Sequence, residues 1–212
     1  LARELVGAVQ KMGGIWTLED LKAYKAIERE PLVGHYRGAT IIGAPPPTSG
    51  GVALIEALTI LSGYDLSQVD AVTRKHLIIE AMRRMQRDRA VYLGDPAFVG
   101  MPLAMLTDPD YAAGLRTSIR LDRATPSDTL APAPEAHAGG TNTTHFSILD
   151  KDGNRVAGTI TLNAGFGSGL MVDGTGMLLN NQMDDFSIKP GVPNIYGLIG
   201  ASANAIAPGK RM

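Results

Sequence analysis

The chain has 212 residues, a net charge of −1 and 44% apolar residues, a composition that suits a folded core and argues against a disordered chain. No lysine- or arginine-rich stripe supports nucleic-acid binding, and no apolar run reaches the ~18 residues that a membrane span needs. Cysteine is absent, so disulfides, thiolate catalysis and cysteine-bound metals are excluded.

Leu1-Ala2-Arg3 lacks an initiator methionine, and Pro208-Gly209-Lys210-Arg211-Met212 stops on a turn signal. The chain is therefore read as a piece of a longer protein, and the missing signal peptide says nothing of secretion. Residues 2–12 put Leu5, Val6, Val9 and Met12 on one helical face, ended by Gly13-Gly14. Thr17 with Asp20 forms a capping-box pattern at the head of a short helix. Val33, Tyr36 and Ile41-Ile42 predict two short strands within 31–44, and Pro45-Pro46-Pro47 cannot continue a central strand. Thr48-Ser49-Gly50-Gly51 precedes an apolar helix at 52–62. It reads as a tight turn, or as an anion site at a helix start, and the lysine of a P-loop is missing.

Asp70 is placed to cap a long helix over 71–92 whose buried face is Leu77, Ile78, Ala81 and Met85. Arg83, Arg84, Arg87 and Arg89 spread around that helix and read as a solvated face with ion pairs to Glu80 or Asp88. A further helix is predicted at 109–117. Residues 124–140 are rich in Pro, Ala and Gly and read as an exposed linker. Beyond it, Thr143–Leu149 and Val156–Asn163 predict a hairpin around the turn Asp150-Lys151-Asp152-Gly153-Asn154. Gly165-Phe166-Gly167-Ser168-Gly169 reads as a loop and Met177–Asn180 as a short strand. The remainder, 181–212, is mostly loop. The early part is thus mostly helical and the later part mostly β.

The four histidines, His35, His76, His137 and His145, have no metal-ligand spacing, and Asp184-Asp185 sits in no EF-hand pattern. Gly167-Ser168-Gly169 lacks the Gly-x-Ser-x-Gly spacing of a serine-hydrolase elbow. Thr143 is the remaining candidate. A hydroxyl residue just after an exposed linker is either ordinary strand surface or a nucleophile released by cleavage of Asn142–Thr143. In the second case its freed α-amine, with a pKa of about 7.7–8.0, is the base.

The stretches Thr143-Thr144-His145-Phe146-Ser147, Thr161-Leu162-Asn163, Phe166-Gly167-Ser168-Gly169 and Leu178-Leu179-Asn180-Asn181-Gln182-Met183-Asp184-Asp185-Phe186-Ser187 follow one another in this order. With Pro45–Gly51, Ala90–Pro96, Lys189–Asn194 and Pro208–Arg211, they closely resemble the γ-glutamyltransferase (γ-glutamyltranspeptidase) family over nearly the whole chain.

The resemblance implies an α+β N-terminal-nucleophile (Ntn) hydrolase fold, a four-layer αββα sandwich that would be incomplete here. It implies a precursor that cleaves itself at Asn142–Thr143. Residues 1–142 would then be the C-terminal part of a large subunit, and 143–212 the start of a small one. Thr143 would attack the γ-glutamyl amide of glutathione or a related compound, and the resulting ester would pass to water, an amino acid or a peptide. Thr161 would hydrogen-bond and tune the nucleophile. Asn163, Gln182 and Asp185 would hold the α-amino and α-carboxylate end, with Asp185 as partner of the ammonium. Without the resemblance, Thr161 reads as a strand residue, Asn163 and Gln182 as turn chemistry and Asp184-Asp185 as a solvated turn. His145 is assigned no chemistry.

No cofactor or metal is implied, and the partners are the remaining segments of the same precursor. A periplasmic or extracellular location goes with the family. The family's upstream arginine has no match here, and its Ser-Ser pair and Gly-Gly oxyanion hole lie beyond Met212. The isolated chain is thus expected to be inactive and uncut between 142 and 143. The alternatives are a relative acting on poly-γ-glutamate or a β-lactam side chain, and a degenerate, non-catalytic homologue.

Overall fold

The computed structural model describes residues 1–130, 143–189 and 191–212. Helices mix with short antiparallel strand pairs in an α+β arrangement, and among the described residues the strands form three two-stranded sheets. The chain divides into two units, Leu1–Glu28 with Ala138–Asp184 and Arg29–His137 with Asp185–Met212. Among the described residues no helix is long and apolar enough to cross a membrane.

The larger unit begins with the hairpin β1 (Leu32–Tyr36) and β2 (Ala39–Gly43), paired antiparallel with Leu32 opposite Gly43. Its two-residue loop, Arg37-Gly38, has positive φ at both positions, as the right-handed strand twist demands of so tight a turn. Arg37 holds that conformation while donating to the Tyr64 carbonyl at 2.7 Å. Helix α3 (Gly50–Ser62) packs against both strands. It starts two residues earlier than the apolar run suggests, because Gly50 and Gly51 belong to the helix. A Cβ on Gly51 would come within 2.2 Å of the Ala44 carbonyl oxygen, so close backbone approach accounts for that glycine without an anion.

Helix α4 (Ala71–Tyr92) opens at Asp70, whose carboxylate accepts from Val72 N at 2.7 Å and Thr73 N at 2.9 Å. Helix α5 (Leu103–Leu106), too short to leave a periodic signal, was not anticipated. Helix α6 (Pro109–Arg116) follows an Asp108 cap with proline in its first turn. One core cluster joins Ile60 and Leu61 of α3, Leu77 and Ala81 of α4, Ala112 of α6 and Ile119. A second joins Val52, Leu93 and Leu106.

Leu77 and Ala81 are buried as the periodicity predicts, and Ile78 and Met85 are half-buried. The arginines depart from expectation. Arg83 and Arg87 do pair with Glu80 and Asp88, at 2.7 Å each. Arg84, however, is about 1% exposed, and Arg89 is half-buried with its Nε donating to Ser49 Oγ at 2.9 Å. The face is not solvated, because α3 and the chain at 115–127 also pack there. Residues 127–130 form a 3-10 turn, so the linker is ordered at its root. The rest of it, 131–140, lies outside the described residues.

The smaller unit contains α1 (Ala2–Lys11), with Val6 buried, and α2 (Leu18–Ala23). The Thr17/Asp20 capping box forms in full, with Asp20 N to Thr17 Oγ1 at 3.1 Å and Thr17 N to Asp20 Oδ2 at 2.8 Å. Strands β3 (Thr144–Leu149) and β4 (Arg155–Ile160) pair antiparallel with Thr144 opposite Ile160. Asp150 builds their turn by accepting from Asp152 N, Asn154 N and Asn154 Nδ2. The return strand stops at Ile160 rather than running to Asn163, because Asn163 has φ 73° and leaves the extended region. A third pair joins β5 (Met171–Val172) to β6 (Met177–Leu178). Strand β6 is shorter than the 177–180 expected, and β5 is an addition.

Candidate active site

Thr143 stands at the entry to β3 and is exposed. Its hydroxyl donates to Thr161 Oγ1 at 3.2 Å, across the hairpin and one step beyond the Thr144–Ile160 pair. The Thr161 oxygen also accepts the Asn163 N–H at 3.0 Å. Thr161 therefore ties the hydroxyl of Thr143 to the backbone of Asn163, and its own proton remains available to a third group. Two residues along the same strand face, His145 Nδ1 lies 2.8 Å from Thr159 Oγ1.

Asn163 is only 6% exposed and adopts the left-handed conformation that asparagine tolerates better than most side chains. Its Nδ2 donates to the Asn181 carbonyl at 3.1 Å. In return, Asn181 Oδ1 accepts from Ala164 N at 2.9 Å, and Asn181 N donates to the Leu162 carbonyl at 3.1 Å. These three bonds lock 162–164 to 181. Gln182 follows at once and opens a 3-10 turn, Gln182–Asp185, with its N–H on Asn180 Oδ1 at 2.9 Å. Thr143, Thr161, Asn163 and Gln182 are thus placed by one continuous set of bonds within the smaller unit. Asn181, which carries half of those bonds, was missed from sequence. The Asn-Asn pair before Gln182 was the available signal.

Asp185 belongs to the larger unit. Its carbonyl accepts from Asn204 Nδ2 at 2.8 Å, beside the bridge between Ser187 and Ala205. Burial lowers the Arg89 guanidinium pKa from its ordinary value, while the Asp185 carboxylate pulls the other way. Asp184 and Asp185 are half-buried rather than a solvated turn. Asn142, and with it the expected continuity across 142–143, lies outside the described residues.

The family model for gamma-glutamyltranspeptidase matches residues 1–212. The glutathione hydrolase proenzyme of Escherichia coli (strain K12) is 46% identical over 213 residues, covering 100% of this chain and 37% of its own length. Among solved structures, the cephalosporin acylase from Bacillus halodurans matches 99% of this chain and 35% of its own, with 31% identity and a TM-score of 0.80. The Helicobacter pylori gamma-glutamyltranspeptidase matches 57% of this chain and 35% of its own, with 43% identity and a TM-score of 0.54. The chain thus spans little more than a third of the relatives it matches, and within that span it belongs to the gamma-glutamyltranspeptidase family.

Proposed function

We propose that this chain is the central part of a γ-glutamyl transferase or glutathione hydrolase whose nucleophile is Thr143. The observation that carries the reading is the bond from the Thr143 hydroxyl to Thr161, on a threonine that heads a strand just after a linker. Neither hydroxyl is a base near neutral pH. The base is the α-amine that cleavage of Asn142–Thr143 releases, with a pKa close to working pH.

The reaction follows from those groups. The Thr143 oxygen adds to the γ-carbonyl carbon of the substrate as its proton passes to the α-amine. The amide C–N bond then breaks, the leaving amine takes that proton, and a γ-glutamyl ester remains on Thr143. Water or the amine of an amino acid or peptide attacks the ester, and the threonine oxygen is released with a proton returned to it. Thr161 orients the nucleophile. Asn163 and Gln182 are the proposed neutral contacts to the glutamyl end. Asp185 is the proposed acceptor for its ammonium, since a charge-assisted bond is the stronger kind.

In this reading residues 1–142 close a large subunit and 143–212 open a small one, within a four-layer αββα Ntn-hydrolase sandwich completed by the rest of the precursor. The chain by itself is inactive, and the whole protein works in the periplasm or outside the cell. Intact mass spectrometry of the full-length protein beside Thr143→Ala tests the nucleophile. Two products divided at 142/143 are expected in the parent and one uncut mass in the variant. A single mass in both would leave no activated base and remove the reading. The similarity to a cephalosporin acylase favours one second reading, an acylase of β-lactam side chains. Turnover of a γ-glutamyl anilide against that of an acylated β-lactam separates the two.

A further inference from the structure

Asp185 ends the 3-10 turn Gln182–Asp185. Past β6 the described residues form no further strand pair, only the isolated bridge between Ser187 and Ala205. The main chain around Asp185 is therefore held neither by a sheet nor by a long helix. It is held by side chains of the larger unit, to which Asp185 itself belongs. Asn204 Nδ2 donates to the Asp185 carbonyl at 2.8 Å, and the Asn204 carbonyl accepts the Ser187 N–H at 2.9 Å. Asn204 thus grips the chain on both sides of Phe186, which is buried. Asn204 Oδ1 is buried with no hydrogen-bond partner among the described residues. A polar atom left so is costly, so what this amide contributes lies at its donor end.

Lys210 holds Asn204 in turn. Its ammonium donates to the carbonyls of Ala203 and Ala205, both at 2.8 Å, one on each side of Asn204. Two charge-assisted bonds fix that short turn more firmly than neutral ones would. The main chain of Lys210 is anchored as well. Lys210 N donates to the Ala207 carbonyl at 3.2 Å, and Arg211 N donates to Oδ2 of the fully buried Asp95 at 2.8 Å. Ala201 N donates to the Ala90 carbonyl at 3.1 Å, which joins the head of the 3-10 turn Ser202–Asn204 to the last turn of α4. From α4 to Asp185 the bonds are continuous, and every one lies within the larger unit.

We propose that Asn204 and Lys210 form a seat for Asp185 and, through it, set the preference for acyl groups that carry an α-ammonium. The inference rests on the reading of Asp185 as the acceptor for that ammonium. A glutamyl and a glutaryl group differ only in the amine, so their difference in affinity isolates what Asp185 contributes. A carboxylate rewards the ammonium only at hydrogen-bond distance. Removing the bond from Asn204, or the cation that holds Asn204, lets the Asp185 main chain shift and lengthens that one contact. Both are positioning residues, and neither needs to touch the substrate.

The test uses the full-length protein with L-glutamate and glutarate as probes. Affinity is read from the rise in melting temperature with ligand concentration, which requires no turnover. Asn204→Leu keeps the side-chain shape and loses the donor, and Lys210→Met keeps the stem and loses the cation. Asp185→Asn is the reference for a lost acceptor. Tyr111→Phe, whose hydroxyl bonds to Asp88 outside the seat, is the control for lost stability. Asn204→Leu is expected to weaken L-glutamate about tenfold and to leave glutarate within about twofold, as the loss of one charged hydrogen bond requires. Lys210→Met is expected to weaken L-glutamate about threefold with glutarate again unchanged, and Lys210→Arg to recover part of the loss. An unchanged preference in both seat variants, beside an Asp185→Asn that loses it, overturns the seat. So does an equal loss for the two ligands, or a loss that Tyr111→Phe reproduces. If the parent shows no preference for L-glutamate, or Asp185→Asn keeps it, the reading of Asp185 falls and the seat with it. That result is distinct from seat variants that retain a preference which Asp185→Asn abolishes.

Discussion

Glu56 on α3 and Glu80 on α4 are each about 1% exposed, yet their surroundings shift their pKa values in opposite directions. Burial pushes both toward the neutral form. At Glu56 the Asp88 carboxylate adds its charge and a shared hydrogen bond, with Arg87 opposing, and the pKa rises from 4.5 to about 9. At Glu80 burial is outweighed by the Thr125 hydroxyl, Arg84, the Thr125 N–H and Arg83, and the pKa falls from 4.5 to about 2. The surroundings of the two residues differ accordingly. Both Glu80 oxygens are occupied by donors, whereas Glu56 Oε1 is buried with no hydrogen-bond partner among the described residues. Donors, not depth, decide whether a buried carboxyl keeps its proton here.

Arg84→Met should produce the largest effect, because it strands the Glu80 carboxylate with one flanking cation. Breaking one side of a buried pair costs about 3–5 kcal/mol, read as a fall in the urea midpoint at pH 5.5 with the slope unchanged. A loss below about 1 kcal/mol would mean that Glu80 is not the tightly paired anion its contacts describe. Tyr111→Phe comes next. Its hydroxyl donates to Asp88 Oδ2 at 2.6 Å, and burial followed by that bond raises its own pKa above the usual range. A hydrogen bond to a charged partner is worth about 1.5–3 kcal/mol. Arg87 still holds the other Asp88 oxygen at 2.7 Å, so the lower end is expected in the same urea titration. A cost equal to that of Arg84→Met would erase the distinction between the two centres.

The difference between these centres was only half legible in the sequence. The i,i+4 spacing of Glu80 and Arg84 announces an ion pair, and the structure has one. Periodicity read it as surface, because no local pattern shows that residues 115–127 return across α4. The partners that bury the pair are Ser118 and Thr125, more than thirty residues away. Glu56 gave less warning still. It is a single acidic residue in an apolar helix, and Asp88 and Tyr111 reach it only through tertiary packing. Features carried by neighbouring residues were legible. They include the Asp70 cap, the Thr17/Asp20 box and the Asp150–Asn154 turn. The candidate site divides the same way. The Thr143–Thr161 contact follows from hairpin register, and family resemblance named Asn163 and Gln182. The Asn181 exchange that holds them depended on where the return strand ends, three residues before the left-handed Asn163.

Glu56→Gln should have the smallest effect at pH 5.5 and the most informative dependence on pH. There the folded chain already holds Glu56 protonated, so an amide replaces a neutral acid and the change stays below about 1 kcal/mol. The sign then follows from proton counts. Between pH 4.5 and about 9 the unfolded chain has lost this proton while the folded one keeps it, so stability contributed by Glu56 is full below 4.5 and drains away as pH rises through that window. Glu80 runs the other way: its contribution is present above 4.5 and is lost as pH falls toward about 2. Together they place a stability maximum on the acid side of neutrality. Glu56→Gln should remove only the alkaline limb, which is no steeper than about 1.4 kcal/mol per pH unit, and should leave the acid limb intact. The variant would then overtake the parent in urea resistance well before pH 9 and lead it further as pH rises. If the two profiles stay parallel from pH 5 to 9, Glu56 is not holding a proton, and the contrast with Glu80 collapses into two ionised carboxylates at different depths.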